Sequence, residues 1–326
     1  MGTSERVAVA GADYPSTWPQ FLEWFRDEAG CTRYLERLRW PGGYACARCG
    51  SQAEPYRASR GRLLCRACQH QSSVTAGTLF DKTRTPLRVW LAAVWYVTSQ
   101  KHGVSALGLQ RVLGLGSYQT AWTMLHRLRR AMVRPGRERL AGRVEVDETL
   151  LALGDRHVPF LRSGRRGEHR RIVVAVAIEH TDPKGFGRIR LKRLKAANQA
   201  SLREFVWASI EPGSLVTTDG SAAYAWLEED GYRHERAVLL GTETAAHDAL
   251  PGVHRIAALS KRWLLGIHHG AVQPQQLDHY LDEFTFRFNR RASRSRGLLF
   301  YRLLTQALEA NPVTYADVAG HLSPNP

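Results

Sequence analysis

The sequence predicts an α/β protein whose second half builds a mixed sheet, preceded by a small cysteine-bound module and a helical region. Three observations carry this. Strand-like and helix-like segments alternate from Val144 onward, the pattern of a sheet covered by helices. Two Cys-x-x-Cys pairs, Cys46/Cys49 and Cys65/Cys68, stand near the N-terminus. Between these regions two apolar-periodic segments flank Gly114-Leu115-Gly116-Ser117, the layout of two helices joined by a short turn.

The chain has 326 residues, enough for two or three domains with real cores. Hydrophobic residues make up 44% and charged residues 23%, a globular rather than a disordered balance. The net charge of +16 and a pI near 10.1 favour a polyanionic partner, nucleic acid before an anionic membrane surface. No run approaches the roughly twenty apolar residues of a membrane span. Met1 to Pro19 lacks the basic start and apolar core of a secretory signal. The expected location is inside the cell, in the cytoplasm, with no membrane partner.

In chain order, Trp18 to Trp40 reads as helical, because Phe21, Leu22, Trp24, Phe25, Tyr34, Leu35 and Leu38 fall mostly at helical spacing. Cys31 reads as a small core residue. Pro41-Gly42-Gly43 breaks the helix. Fifteen residues, Gly50 to Leu64, then separate the two cysteine pairs, which fits the spacing of a zinc ribbon. In a reducing compartment such pairs point to metal rather than disulfide. The short strands between them bury too little surface to fold alone, so Zn²⁺ at Cys46, Cys49, Cys65 and Cys68 is structural. Pro86 to Ser99 is a second helix. Val104 to Leu113, the glycine-containing turn and Tyr118 to Met132 make a helix-turn-helix-like pair. Its second helix ends in His126, Arg127, Arg129 and Arg130, which suits phosphate contact; an ordinary helical hairpin with a solvated basic face is the alternative.

Pro135-Gly136-Arg137 reads as a linker. The expected strands are Val144 to Asp147, Ile172 to Glu179, Arg188 to Leu194, Leu215 to Thr218 and Arg236 to Leu240. The expected helices are Ala200 to Ile210, Ala222 to Glu229, Val253 to Leu265 and Pro274 to Arg291. The domain boundaries that follow are 17–80 for the N-terminal helix and ribbon, 84–134 for the helical DNA-binding region, 141–305 for a catalytic domain, and 306–326 for a C-terminal tail.

Two acids end strand-like runs: Asp147 in Val144-Glu145-Val146-Asp147-Glu148-Thr149 and Asp219 in Leu215-Val216-Thr217-Thr218-Asp219-Gly220. Either alone reads as a turn cap or an exposed strand residue. A carboxylate at the end of a buried strand is costly without a partner, and two of them in a basic chain point to divalent metal and phosphoryl transfer. In a ribonuclease H-like sheet the first and fourth strands are neighbours, so the two carboxylates would meet; Mg²⁺ suits oxygen ligands of this kind. A third ligand would come from a later helix. Pro251-Gly252 marks a helix start, and His254 and Lys261, seven residues apart (261 − 254), share one helical face. His254 is the candidate metal ligand and Lys261 the candidate phosphate contact. Without the aspartates they read as a histidine at a helix N-terminus and a snorkelling lysine.

Several segments resemble bacterial insertion-sequence transposases of the DDE superfamily that carry an N-terminal zinc ribbon. They are Leu38-Arg39-Trp40-Pro41-Gly42-Gly43, Thr120-Ala121-Trp122-Thr123-Met124-Leu125-His126-Arg127, Val144 to Thr149, Thr218-Asp219-Gly220, and Tyr280 to Arg291. The resemblance runs from about Trp18 to Leu304. It implies a ribonuclease H-like catalytic domain that uses Mg²⁺ to cut and rejoin DNA at element ends. It also implies that Asp147 and Asp219 are the first two catalytic carboxylates, and that Lys261 is the lysine seven residues after the third. A homo-oligomer acting on two DNA ends follows from the same resemblance. The third position departs from the pattern: where glutamate is usual this chain has His254, 35 residues after Asp219 (254 − 219). A neutral imidazole removes a negative charge and softens the site, which favours Mn²⁺ as a substitute. Glu243, His247 and Asp248 compete for the position, whereas strand alternation points Glu148 to the opposite face.

Two arginine clusters in the catalytic half add a phosphate track. One comprises Arg162, Arg165, Arg166, Arg170 and Arg171; the other comprises Arg287, Arg290, Arg291, Arg294 and Arg296. The expected function is a DNA transposase whose N-terminal half binds terminal inverted repeats and whose acids cleave and transfer strands of end and target DNA by a two-metal mechanism. A catalytically inactive relative acting as a sequence-specific DNA-binding protein is the alternative, and a structure-selective nuclease the third reading.

Overall fold

A computed structural model describes residues 7–134, 136–153, 170–181, 183, 185–237, 249–268 and 272–319. Packing divides the chain into two compact units: Met1–Arg134 with Ser293–Pro326, and Pro135–Ala292.

In the first unit, α1 (Trp18–Trp24) and α2 (Glu28–Arg39) replace the single expected helix over Trp18 to Trp40. The break is local chemistry. The Asp27 carboxylate accepts the Gly30 N–H at 2.6 Å and caps a new helix, and aspartate favours a cap over a helix interior. Strands β1 (Tyr56–Ala58), β2 (Arg62–Leu64) and β3 (Gln71–Ser73) form a three-stranded antiparallel sheet beside the cysteine pairs. Helix α3 (Leu87–Ser99) follows, then α4 (Ala106–Leu113) and α5 (Tyr118–Ala131). Gly114 ends α4 at φ 61, a left-handed conformation that glycine adopts without a Cβ penalty, and Ser117 caps α5.

The second unit holds a five-stranded mixed sheet. Its strands are β4 (Arg143–Leu153), β5 (Arg170–His180), β6 (Phe186–Arg193), β7 (Leu215–Thr218) and β8 (Arg233–Arg236), in the order β6-β5-β4-β7-β8. The β4–β5 and β5–β6 pairs are antiparallel, and β4–β7 and β7–β8 are parallel. Helix α6 (Gln199–Ser209) covers one face, with Val144, Val146, Phe205, Val206, Tyr224 and Trp226 in one core. Helices α7 (Pro251–His268) and α8 (Leu277–Asn289) cover the other, with Val174, Val176, Ile178, Ile256 and Leu281.

Two expectations for this unit are corrected. The helix expected over Ala222 to Glu229 is one 3-10 turn, Ala222–Tyr224, followed by further turns. Tyr224, Trp226 and Leu227 are all buried, and Trp226 Nε1 donates to the Ala223 carbonyl at 2.8 Å. Residues two apart lie on different sides of an α-helix, so tight turns bury all three where a helix would not. The last strand is Arg233–Arg236 rather than Arg236 to Leu240, with 238–240 outside the described residues.

The chain then re-enters the first unit as α9 (Arg296–Glu309) and α10 (Tyr315–Ala319). The catalytic stretch drawn from sequence ran to residue 305, whereas the unit that holds the sheet ends at Ala292. Phe300 of α9 packs among Phe21, Phe25, Tyr34 and Trp95. Gly297 permits that seat: a Cβ there would stand 2.0 Å from the Pro15 carbonyl oxygen.

Candidate functional site

The parallel β4–β7 register pairs Arg143 with Leu215, Val144 with Val216 and Glu145 with Thr217. Continued by two residues, it sets Asp147 level with Asp219. Asp219 follows the last residue of β7 and also caps a turn, its Oδ1 accepting the Ser221 N–H at 3.0 Å. The turn-cap reading and the site reading are therefore compatible. Asp147 is half-buried and Asp219 exposed. Asp147 Oδ1 accepts the Glu148 N–H at 2.7 Å. Burial pushes the Asp147 carboxyl above the usual carboxylate range, the Asp219 charge adds to this, and His254 opposes it.

Asp147 pairs with Val176 and Glu145 with Ile178, and both partners belong to the core under α7 and α8. The Glu145 and Asp147 side chains therefore lie on the face where α7 carries His254. His254 is half-buried, and Lys261 is exposed two turns further along α7. Asp147, Asp219 and His254 converge where β7 ends, midway along β4, without closing to ligand spacing. Among the described residues only Cys46, Cys49, Cys65 and Cys68 form a group of three or more ligating side chains whose donor atoms all lie within 4.8 Å. One half-buried and one exposed carboxyl whose mutual charge is unfavourable suit a divalent cation, which is the fit the residues offer. The competing ligands Glu243, His247 and Asp248 lie outside the described residues.

Glu148 occupies the opposite face, as alternation requires, where the Tyr224 hydroxyl donates to its Oε1 at 3.1 Å. Burial first and Asp147 second push its carboxyl up to about 7, and Asp219 adds to the effect. Burial and Glu148 likewise keep the Tyr224 hydroxyl protonated. Sequence reasoning set Glu148 aside; the signal was its adjacency to Asp147, because an acid next in the chain feels both aspartates even from the far face of the strand. Glu145 was not singled out either. It is 4% exposed, accepts the Val253 N–H at 2.8 Å and lies 2.5 Å from His180 Nε2.

The four cysteines sit on two matched knuckles. Gly50 N–H donates to the Cys46 carbonyl and Gln69 N–H to the Cys65 carbonyl, with Gly50 and Gln69 both at positive φ. Cys46–Cys68 and Cys49–Cys65 sulfurs lie 3.7 Å apart. The Cys49 amide of its own knuckle draws the Cys46 thiol down to about 6, and the Cys68 amide draws Cys65 down. Thiolates are the ligating form, and a small core of Tyr44, Cys46, Leu63 and Cys65 backs the site. The cluster fits a structural tetrahedral zinc.

The expected DNA contacts divide. Arg130 is exposed and Arg127 half-buried on α5. Burial lowers the Arg127 pKa, and its guanidinium lines a cavity of about 270 Å³ with Lys82, Arg84, Gln119 and Thr120. Arg129 is corrected: at 2% exposure it lies inside, 3.3 Å from His126 Nε2. Arg287 is also corrected, because both Nε and Nη2 bind Glu283 Oε1, at 2.8 and 2.6 Å, inside the unit. Arg291 stays exposed while it donates to the carbonyls of Gly187, Phe288 and Phe186, and tethers the end of α8 to β6. Arg290 stacks over the Phe286 ring at 4.1 Å. Arg165 and Arg166 lie outside the described residues.

Comparison with known proteins places this architecture. Residues 139–289 match the ISXO2-like transposase domain and residues 26–71 the transposase zinc-ribbon domain. An uncharacterised protein in transposable element ISH50 of Halobacterium salinarum is 27% identical over 278 residues, covering 82% of this chain and 92% of the relative. A chain in the cryo-EM structure of the simian T-cell lymphotropic virus intasome in complex with PP2A regulatory subunit B56 gamma is 15% identical. It covers 64% of this chain and 74% of that one at a TM-score of 0.32, a likeness too weak to carry an argument. The chain belongs to the DDE-superfamily insertion-sequence transposases that carry an N-terminal zinc ribbon.

Proposed function

We propose that this transposase binds the ends of its element as duplex DNA and catalyses strand cleavage and strand transfer at Asp147 and Asp219, with His254 as the third ligand. The observation that carries the reading is the β4–β7 register, which sets the two carboxyls level, together with the raised Asp147 pKa to which Asp219 contributes. Mg²⁺ or Mn²⁺ bound between these side chains would activate the attacking hydroxyl or water and stabilise the leaving 3′ oxygen. The protein's own part is to hold the charges in place. Asp147 is fixed by the rigid central strand β4, and Asp219 by its turn with Ser221. Lys261, exposed on α7, holds a DNA phosphate beside the acids.

DNA as partner is supported by the +16 charge and by the basic surface of α5 at Arg130, with Arg127, Lys82 and Arg84 around the neighbouring cavity. Exposed arginines at Arg294 and near α8 extend that character. Action on two ends by a homo-oligomer, and a cytoplasmic location, belong to the same proposal. Among the described residues no helix is long and apolar enough to cross a membrane.

The test uses purified protein, labelled element ends and Mg²⁺ or Mn²⁺. Asp147→Asn and Asp219→Asn each reduce cleavage by at least about a hundredfold while end binding is retained, on the scale of losing a principal metal ligand. Cleavage unchanged in both variants would sink the site. Two points favour the second reading, a binding protein without catalysis: His254 stands where the resemblance expects glutamate, and the three ligands do not close to 4.8 Å among the described residues. Tight end binding with no cleavage under either ion is its signature, and strand-transfer products exclude both it and a simple nuclease.

A further inference from the structure

Glu145 stands two residues before Asp147 on β4 and faces the same way. Both of its oxygens are used. Oε2 accepts the Val253 N–H at 2.8 Å, and Oε1 lies 2.5 Å from His180 Nε2, at the end of β5. Val253 is the third residue of α7, so a carboxylate from the sheet caps one of the helix's unsatisfied first-turn amides and meets the positive end of its dipole. Pro251, at the first position, has no N–H to satisfy. Gly252, at the second, makes the approach possible. A Cβ there would stand 2.8 Å from Glu145 Oε2, 2.8 Å from Phe186 Cε1 and 2.9 Å from Ile178 Cγ2. The next residue after Val253 is His254.

We propose that Glu145 is a positioning residue: it locks the first turn of α7 to β4 and thereby fixes His254 against Asp147, with His180 and Gly252 as its supports. This rests on the reading that Asp147, Asp219 and His254 form the metal site. The chemistry selects positioning over ligation. At 4% exposure, with each oxygen already held by a partner inside the fold, Glu145 is placed to hold α7 rather than to reach an ion in the cleft. A buried carboxylate is a costly cap, and here one group joins β4, β5 and α7 within reach of the acid that does the work.

The experiment takes the full zinc-loaded chain through two measurements besides DNA cleavage. One is amide exchange over residues 250–256 without added divalent ion; the other is binding of Mn²⁺ alone, with Asp147→Asn marking the specific fraction. Glu145→Ala speeds exchange in that turn at least about tenfold and weakens specific Mn²⁺ binding by roughly 10–100-fold, the usual cost of removing a partner behind a ligand. Glu145→Gln stays within about threefold of wild type, because its amide still offers a carbonyl to Val253 and a donor to His180. Gly252→Ala, with Glu145 intact, reproduces the loss. Val206→Ala, a cavity in the core under α6 on the opposite face of the sheet, lowers the melting temperature without changing Mn²⁺ affinity and so separates positioning from general stability. Wild-type exchange and Mn²⁺ affinity in Glu145→Ala overturn the proposal. If that variant does not fold, wild-type Mn²⁺ affinity in Gly252→Ala overturns it instead. Wild-type protein whose Mn²⁺ binding ignores Asp147→Asn overturns the site reading and with it the role toward His254, an outcome distinct from failure of the lock, which exchange alone reports.

Discussion

Glu148 carries the sharpest electrostatic consequence of the acid cluster. Its carboxyl titrates at about 7 against an ordinary 4.5, through burial first and Asp147 second. The folded state favours the protonated form, so the stability this provides is full below about pH 4.5 and lost as the pH rises through 7. Glu148→Gln keeps an acceptor for the Tyr224 hydroxyl and removes the titration. Without added Mg²⁺ or Mn²⁺ the variant matches wild type at pH 5 and exceeds it at pH 8, by on the order of 1–3 kcal/mol. Chemical denaturation at the two pH values checks this, and a difference that does not grow with pH refutes it. The two aspartates were legible in the sequence because each follows an alternating apolar run, although only Asp219 stands at a strand end: β4 continues past Asp147 to Leu153. Glu148 and Glu145 were not. Alternation gives the face a side chain occupies, but not that Tyr224 or the first turn of α7 reaches back to meet it.

Among elements, α5 shows where local pattern stops. Arg127, Arg129 and Arg130 read alike in sequence as the basic end of a helix, yet Arg129 is inside and Arg130 outside. Helical spacing alone cannot tell a buried arginine beside His126 from a solvated one. Arg130→Ala weakens end binding about equally for all sequences and lowers the salt slope by about 1, with the melting temperature unchanged. Arg129→Ala destabilises the protein by roughly 2–3 kcal/mol, because it strands buried polar groups. Anisotropy titrations across salt and thermal melts separate the two, and equal effects of both variants would show that the burial difference has no functional weight. The ribbon was legible almost whole, because ligand spacing and the glycine after Cys49 are themselves sequence features. One zinc per chain is expected by elemental analysis. Cys49→Ser or Cys65→Ser loses the ion and the exchange protection of β1–β3, consistent with structural zinc supplying on the order of 10 kcal/mol of folding free energy; a ribbon that stays protected without zinc contradicts this. Strand β8 was misplaced for the opposite reason: Arg233-His234-Glu235-Arg236 is a polar edge strand with no apolar alternation to read.

At the scale of the molecule, the sheet-bearing unit is an insertion within the first unit, which the chain leaves at Arg134 and re-enters at Ser293. Sequence order placed residues up to 305 in the catalytic domain and began a tail at 306. Instead, α9 completes a core laid down as far back as α1, with Phe300 against Phe21 (300 − 21 = 279). Leu299, Phe300, Leu303, Leu304 and Leu308 are all buried there, and the Leu79 N–H donates to the Ala307 carbonyl at 3.1 Å. Burial of side chains of this size is worth on the order of 10 kcal/mol in total, comparable with the whole stability of a typical domain. Among the described residues, the core of the second unit by contrast draws only on residues between Leu140 and Phe288. Truncation after Ala292 therefore unfolds the first unit and spares the second. In amide exchange, the 1–292 chain loses protection in α1 to α5 while β4 to β7 remain protected, and the 135–292 fragment alone melts cooperatively. Retained protection of α3 in the 1–292 chain would mean that α9 only decorates the first unit rather than completing it. End binding is lost with the first unit, while Mn²⁺ binding that depends on Asp147 persists in the 135–292 fragment, because every side chain proposed to hold that ion lies between residues 135 and 292.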